Sequence, residues 1–130
     1  MSAKIKTLAV IYIFILAGIV ILADVRETQF LFRFIRRLPF GDKLGHFFLM
    51  GMFSLMVNLA LSAKTVQIWK LNYLLGSLIV LAVVTIEEVS QIFIRGRTFD
   101  AGDLLADAAG IFIFGETARF VVKKSNYFRR

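Results

Sequence analysis

The sequence predicts an all-α membrane protein: a bundle of four transmembrane helices with a short interfacial amphipathic helix between spans one and two. Three observations predict it. Of 130 residues, 58% are hydrophobic and 19% charged, and the mean hydropathy is +0.77, whereas a soluble domain is about half apolar and a quarter charged. The apolar residues fall in blocks of roughly twenty, the length a helix needs to cross about 30 Å of hydrocarbon. The connections after the second and third blocks are short, which forces antiparallel neighbours. Residues 1–130 read as one transmembrane domain, without internal repeats or low-complexity segments.

The first span, residues 5–23, follows Lys4 and Lys6. A secretory signal has a shorter apolar region and ends at a small-residue cleavage site. This block runs into Asp24-Val25-Arg26, a poor match, and reads as a retained helix. In the connection that follows, Phe30, Leu31, Phe34, Ile35 and Leu38 share one side of a helical wheel, with Arg33, Arg36 and Arg37 on the other; Phe32 breaks the pattern. That is the signature of a helix lying among lipid headgroups, ended by Pro39 and Gly41; the bland alternative is a solvated basic loop. The second span, 44–63, has Ser54 and Asn58 as its only strongly polar interior residues. The third, 71–94, is apolar to Ile86 and then increasingly polar. The fourth, 101–122, carries acids in its first two turns and Glu116 with Arg119, three apart, near its end as an interfacial ion pair. Trp69, Tyr73 and Tyr127 fit an aromatic belt on the side of the termini.

The net charge of +7 would point to nucleic acid in a soluble protein, but in a membrane protein it meets anionic headgroups. No DNA-reading motif or Gly-rich phosphate loop is present, so no nucleic-acid partner is expected. The absence of cysteine excludes disulfides and thiolate metal sites. Sixteen Lys and Arg divide nine to the side of the termini and seven to the other, or nine to four once the interfacial helix is counted as lipid-bound. The positive-inside rule then gives a multi-pass protein of the cell inner (plasma) membrane with cytoplasmic termini and the opposite face outward. So small a bundle has little interior, which leaves room for a homo-oligomer.

Residues 87–110, EEVSQIFIRGRTFDAGDLLADAAG, hold five of the nine carboxylates (Glu87, Glu88, Asp100, Asp103, Asp107), with Arg95 and Arg97 between them. Ionisable groups at a membrane segment are costly, so such a cluster is a functional-site hypothesis by default. Counting spans enlarges it. Connections one and three must share a side, so residues 41–47, with the only histidine, His46, lie level with the acids. Asp42 and His46 are four apart; Glu88, Gln91 and Arg95 keep helical spacing, as do Asp100, Asp103, Asp107 and Gly110. Gly110 allows another helix to approach closely. Arg95-Gly96-Arg97-Thr98 would form a rim, Gly96 permitting a tight turn.

The ligand-binding candidates are therefore Asp42, Lys43, His46, Glu88, Gln91, Arg95, Arg97, Asp103 and Asp107. His46, Glu88 and Asp103 are the candidates for acid–base catalysis. Each has a bland counterpart. His46 at a helix start is simply hydrogen-bonded; Glu88 is salt-bridged to Arg95 or Arg97 and ties spans three and four. Asp100 caps a helix, and Asp103 and Asp107 complement its dipole, although Asp107 lies too deep for a cap. Glu87 points elsewhere, toward Lys43 or water. Neither a metal nor a cofactor is assigned by the sequence.

The order D-K-x-x-H-F (Asp42, Lys43, His46, Phe47), E-x-x-Q (Glu88, Gln91) and G-R-x-x-D-x-x-D (Gly96, Arg97, Asp100, Asp103), with Gly110 beyond, resembles the VanZ-like family of small bacterial membrane proteins. The likeness covers residues 42–115. The chain has Asp107 where the family usually has asparagine, and Arg95 where it has proline, which adds one acid and one base. The family takes its name from a glycopeptide-resistance cluster, in which a member is associated with teicoplanin resistance. The resemblance implies a small multi-pass membrane protein of the cell envelope and no established reaction.

Three function classes fit. One is a protein that binds or modulates a lipid or lipid-linked cell-envelope precursor, its arginines holding phosphate by their fork geometry. The second is a membrane enzyme acting on such a lipid with His/Glu/Asp acid–base or metal chemistry, without any HExxH or GxSxG pattern. The third is a structural or transport subunit whose polar cluster locks the bundle or passes protons.

Overall fold

The computed structural model describes residues 3–24, 37–93 and 98–127, and they are mostly helical. Helix α1 spans Ala3–Asp24, α2 Gly41–Ala60, α3 Leu75–Ser90 and α4 Ala101–Tyr127. A hairpin of β1 (Thr65–Ile68) and β2 (Leu71–Leu74) separates α2 from α3, and one 3-10 turn, Gln91–Phe93, extends α3. The expected interfacial helix, on Phe30 to Leu38, lies outside the described residues except for Arg37 and Leu38, and Arg95 with Arg97 lie outside them as well.

Among the described residues two helices are long and apolar enough to cross a membrane: α2, with 20 residues, and α3 with its 3-10 turn, with 19. Only 17% and 28% of these stretches is buried within the protein, unlike the enclosed core helix of a soluble fold. The burial pattern is inverted. Among the described residues, the seven largest fully buried side chains are Glu88, Asn58, Asp107, Ser54 and Ser77, all polar, with Ile111 and Val80 apolar. Outside, Phe14, Ile86, Leu105 and Phe120 are 74%, 70%, 71% and 67% exposed.

Helices α2 and α4 share the largest interface, because glycines let their backbones meet. A Cβ on Gly110 would overlap the Phe47 carbonyl oxygen and stand 2.9 Å from its carbon. A Cβ on Gly51 would come within 2.6 Å of the Phe114 ring. Phe47 and Phe48 meet Phe114 edge-on, with centroids 5.8 and 6.2 Å away, a favourable arrangement for rings. Val80 and Val84 of α3 and Ile111 of α4 form the apolar centre, flanked by Met50, Phe53, Val57, Leu81 and Leu104. Helix α1 packs chiefly on α2, where the Tyr12 hydroxyl donates to the Leu49 carbonyl at 3.3 Å.

Five expectations change. The chain is not wholly α, because residues 65–74 form an antiparallel hairpin pairing Thr65 with Leu74, Val66 with Tyr73, Gln67 with Asn72 and Ile68 with Leu71. Thr, Val, Ile and Tyr suit a strand, and Trp69 takes φ 57° in the two-residue loop, the positive φ that tight hairpin turns require. The second span accordingly stops at Ala60 rather than 63, since Ser62 and Ala63 adopt φ 55° and 53° and cannot continue a right-handed helix. The third helix starts at Leu75 rather than 71. Finally Gly41, expected to close a preceding helix, opens α2, entered through Phe40 at φ 59°. Helix α4 runs to Tyr127, past the expected end at 122.

Candidate functional site

The antiparallel run of α2, α3 and α4 places the start of α2, the end of α3 and the start of α4 at one end of the protein. Lys43, in the first turn of α2, reaches across to α4. Its ammonium donates to Asp100 Oδ2 at 3.2 Å and Asp103 Oδ1 at 3.1 Å. Gly102 makes room for it: a Cβ there would lie 2.9 Å from Lys43 Cε and Nζ. One turn further along α2, His46 Nδ1 lies 3.0 Å from Asp107 Oδ1. His46 Nε2 stands 3.8 Å from Asp103 Oδ2, beyond hydrogen-bond range. Asp107 is 1% exposed and faces Nδ1, so the other ring nitrogen, Nε2, is the one turned toward Asp103.

The third wall comes from α3. Glu88 is 1% exposed; its Oε1 accepts from the Asp100 backbone N–H at 3.1 Å and its Oε2 from Gln91 Nε2 at 3.4 Å. Gln91 Nε2 also donates to Glu87 Oε1 at 2.9 Å. Glu88 thus fixes the backbone that opens α4 instead of only projecting into the site. Asp100 does cap α4, as a residue of its type before a helix should: its Oδ1 accepts from the Gly102 N–H at 2.7 Å. That hydrogen bond first, and then Lys43, hold its carboxyl below the usual carboxylate range. Asp42 is exposed on the first turn of α2 and offers an oxygen to the same cluster as His46 and Asp103.

Among the described residues, then, Asp42, Lys43, His46, Glu88, Gln91, Asp103 and Asp107 come together. Lys43 pairs with Asp100 and Asp103. Glu116 and Arg119 form the expected surface pair at 3.2 Å, and Arg119 also donates to the Asn72 carbonyl of the hairpin at 3.2 Å. Beside Asp42 and Lys43 an open groove of about 300 Å³ is lined also by Leu38, Phe40 and Gly41.

A second polar cluster escaped the sequence reading. Toward the other end of α2, Ser54 donates to the Ile111 carbonyl at 2.8 Å and meets Ser77 at 3.2 Å. Asn58 Nδ2 donates to the Ser54 carbonyl at 2.9 Å and to Ser77 Oγ at 2.9 Å. Gly76 and Gly115 admit it, since a Cβ on either would strike Asn58 or Ser77. Ser54 and Asn58, four apart, were the signal on one side; Ser77 sits in an apolar run with nothing to mark it. Small hydroxyl and amide groups in this setting join helices.

No family model, curated protein or solved structure matches the chain.

Proposed function

We propose that this is a four-span protein of the cell inner membrane, with cytoplasmic termini and an outward polar site, which binds or modulates a lipid or lipid-linked cell-envelope component. One observation carries the reading: ionisable groups of three helices converge inward at one end of a protein whose flanks are apolar. Charge held there is costly without a use. Lys43 commits two of its three ammonium donors to Asp100 and Asp103 and stays 40% exposed. Its third donor, with Arg95 and Arg97 of the adjoining sequence, would take a phosphate, the acids orienting the cations. The adjoining groove mixes Leu38 and Phe40 with Asp42 and Lys43, a lining suited to an amphiphile. The resemblance to the VanZ-like family is in keeping with an envelope role, including glycopeptide (teicoplanin) resistance.

The test is binding of a polyprenyl phosphate and of phosphatidylglycerol to the purified protein in nanodiscs. Lys43→Gln and Arg97→Gln are each expected to weaken binding at least tenfold; unchanged affinity in both sinks the reading.

The His46–Asp107 pair favours a second reading, a membrane enzyme on such a lipid. A carboxylate on Nδ1 orients an imidazole and stabilises its protonated form, leaving Nε2 to act as base. Conversion of the lipid by wild type, lost in His46→Gln, would decide for it.

A further inference from the structure

We infer that Asp42, His46 and Asp103 form a divalent-cation site of the Mn²⁺ or Zn²⁺ class, with His46 Nε2 and one oxygen from each carboxylate as ligands. One ligand atom from each residue lies within 4.8 Å of the others. Ligands about 2.1 Å from one ion stand roughly 3–3.5 Å apart. The His46 Nε2 to Asp103 Oδ2 separation of 3.8 Å is close to that and too long for a hydrogen bond. Asp103 is divided between two tasks: Oδ1 takes the Lys43 ammonium at 3.1 Å, and Oδ2 is turned to the imidazole. Asp42 is exposed, one helical turn before His46, and closes the remaining gap by side-chain rotation.

The buried partner of His46 points the same way. Metal-bound histidines almost always give their other N–H to a carboxylate or carbonyl, which fixes tautomer and ring orientation. Asp107, 1% exposed, occupies Nδ1 at 3.0 Å, so Nε2 is the nitrogen left to face Asp103. One imidazole with two carboxylates suits Mn²⁺ or Zn²⁺ better than soft ions. Three protein ligands leave a coordination position open, beside the groove at Asp42 and Lys43. A lipid phosphate oxygen would fill it, offsetting the repulsion that these acids exert on a phosphate. The ion site stands on the geometry; only the phosphate as outer ligand rests on the lipid-binding reading.

The experiment uses tag-free, full-length protein in detergent, titrated calorimetrically with MnCl₂ and with ZnCl₂ after chelator treatment, and then analysed for bound metal. The expected result is one ion per chain, with Asp42→Asn and His46→Gln each weakening binding at least tenfold and Glu116→Gln leaving it unchanged. Asp42 is exposed, so Asp42→Asn should keep the metal-free melting temperature of wild type and report on ligation alone. Absence of binding at millimolar metal, or binding indifferent to both substitutions, overturns the site. Metal binding with the expected dependence but no lipid binding leaves the ion site standing and removes the lipid reading. Lipid binding that persists in chelator, in a protein that takes up no metal, does the reverse.

Discussion

His46 Nδ1 and Asp107 Oδ1, 61 residues apart in sequence, stand 3.0 Å apart across the α2–α4 interface. The carboxylate is buried and the imidazole lies between it and the surface. Breaking a buried pair by removing one partner typically costs about 3–5 kcal/mol. Asp107→Ala is therefore expected to destabilise strongly, and Asp107→Asn, which still accepts from Nδ1–H, by only about 1 kcal/mol. Unfolding of both variants, of His46→Ala and of the double variant His46→Ala/Asp107→Ala in detergent checks this. The double variant should cost much less than the two singles combined.

The glycine contact makes a separate prediction. Gly110→Ala drives a methyl into the Phe47 carbonyl and should lower stability by about 1–3 kcal/mol, as overpacking does. Gly45 has nothing within 4 Å of an added Cβ. Gly45→Ala should be neutral or stabilising by up to about 1 kcal/mol through helix propensity. The melting temperature should fall in Gly110→Ala and should hold or rise in Gly45→Ala.

The Ser54–Asn58–Ser77 cluster is expected to hold helices together and nothing else. Asn58→Ala removes the donor shared by two helices and should cost about 1–2 kcal/mol. Metal and lipid binding at the opposite end should be unchanged in whatever fraction remains folded.

Asp100 gives a pH dependence. Its carboxyl is held below its ordinary value of 3.8 by the Gly102 N–H and then by Lys43. A depressed carboxylate contributes stability that is complete above the unfolded value and is lost as pH falls through the folded one. Asp100→Asn should leave a shallower decline of melting temperature with pH below about 4, while the two curves run parallel above pH 6. Equal slopes on the acid side would contradict the assignment.

Much of the site was legible because helical spacing and span counting are both strong constraints. Asp42 and His46 one turn apart, and Asp103 and Asp107 one turn apart, had to lie at the same end once the helices alternated. What spacing could not give was the pairing. Only the rotation of α2 against α4, set by Gly51 and Gly110, decides that His46 meets Asp107 while Lys43 meets Asp103. The hairpin was hidden for a different reason: Ile68, Leu71 and Leu74 are as apolar as the helices they separate, and hydropathy does not distinguish a short strand from the end of a span. Ser77 was invisible because a lone serine in an apolar run is ordinary.

The most direct test of the central claim, that the bundle crosses the membrane with its polar site on one face, uses the absence of cysteine. Single cysteines replace Ala101 and Ser125, both exposed and at opposite ends of the 27-residue α4. Intact cells are then treated with a membrane-impermeant maleimide. Ala101→Cys should label from outside and Ser125→Cys only after permeabilisation. Equal labelling of the two in intact cells, or the reverse order, would contradict the account.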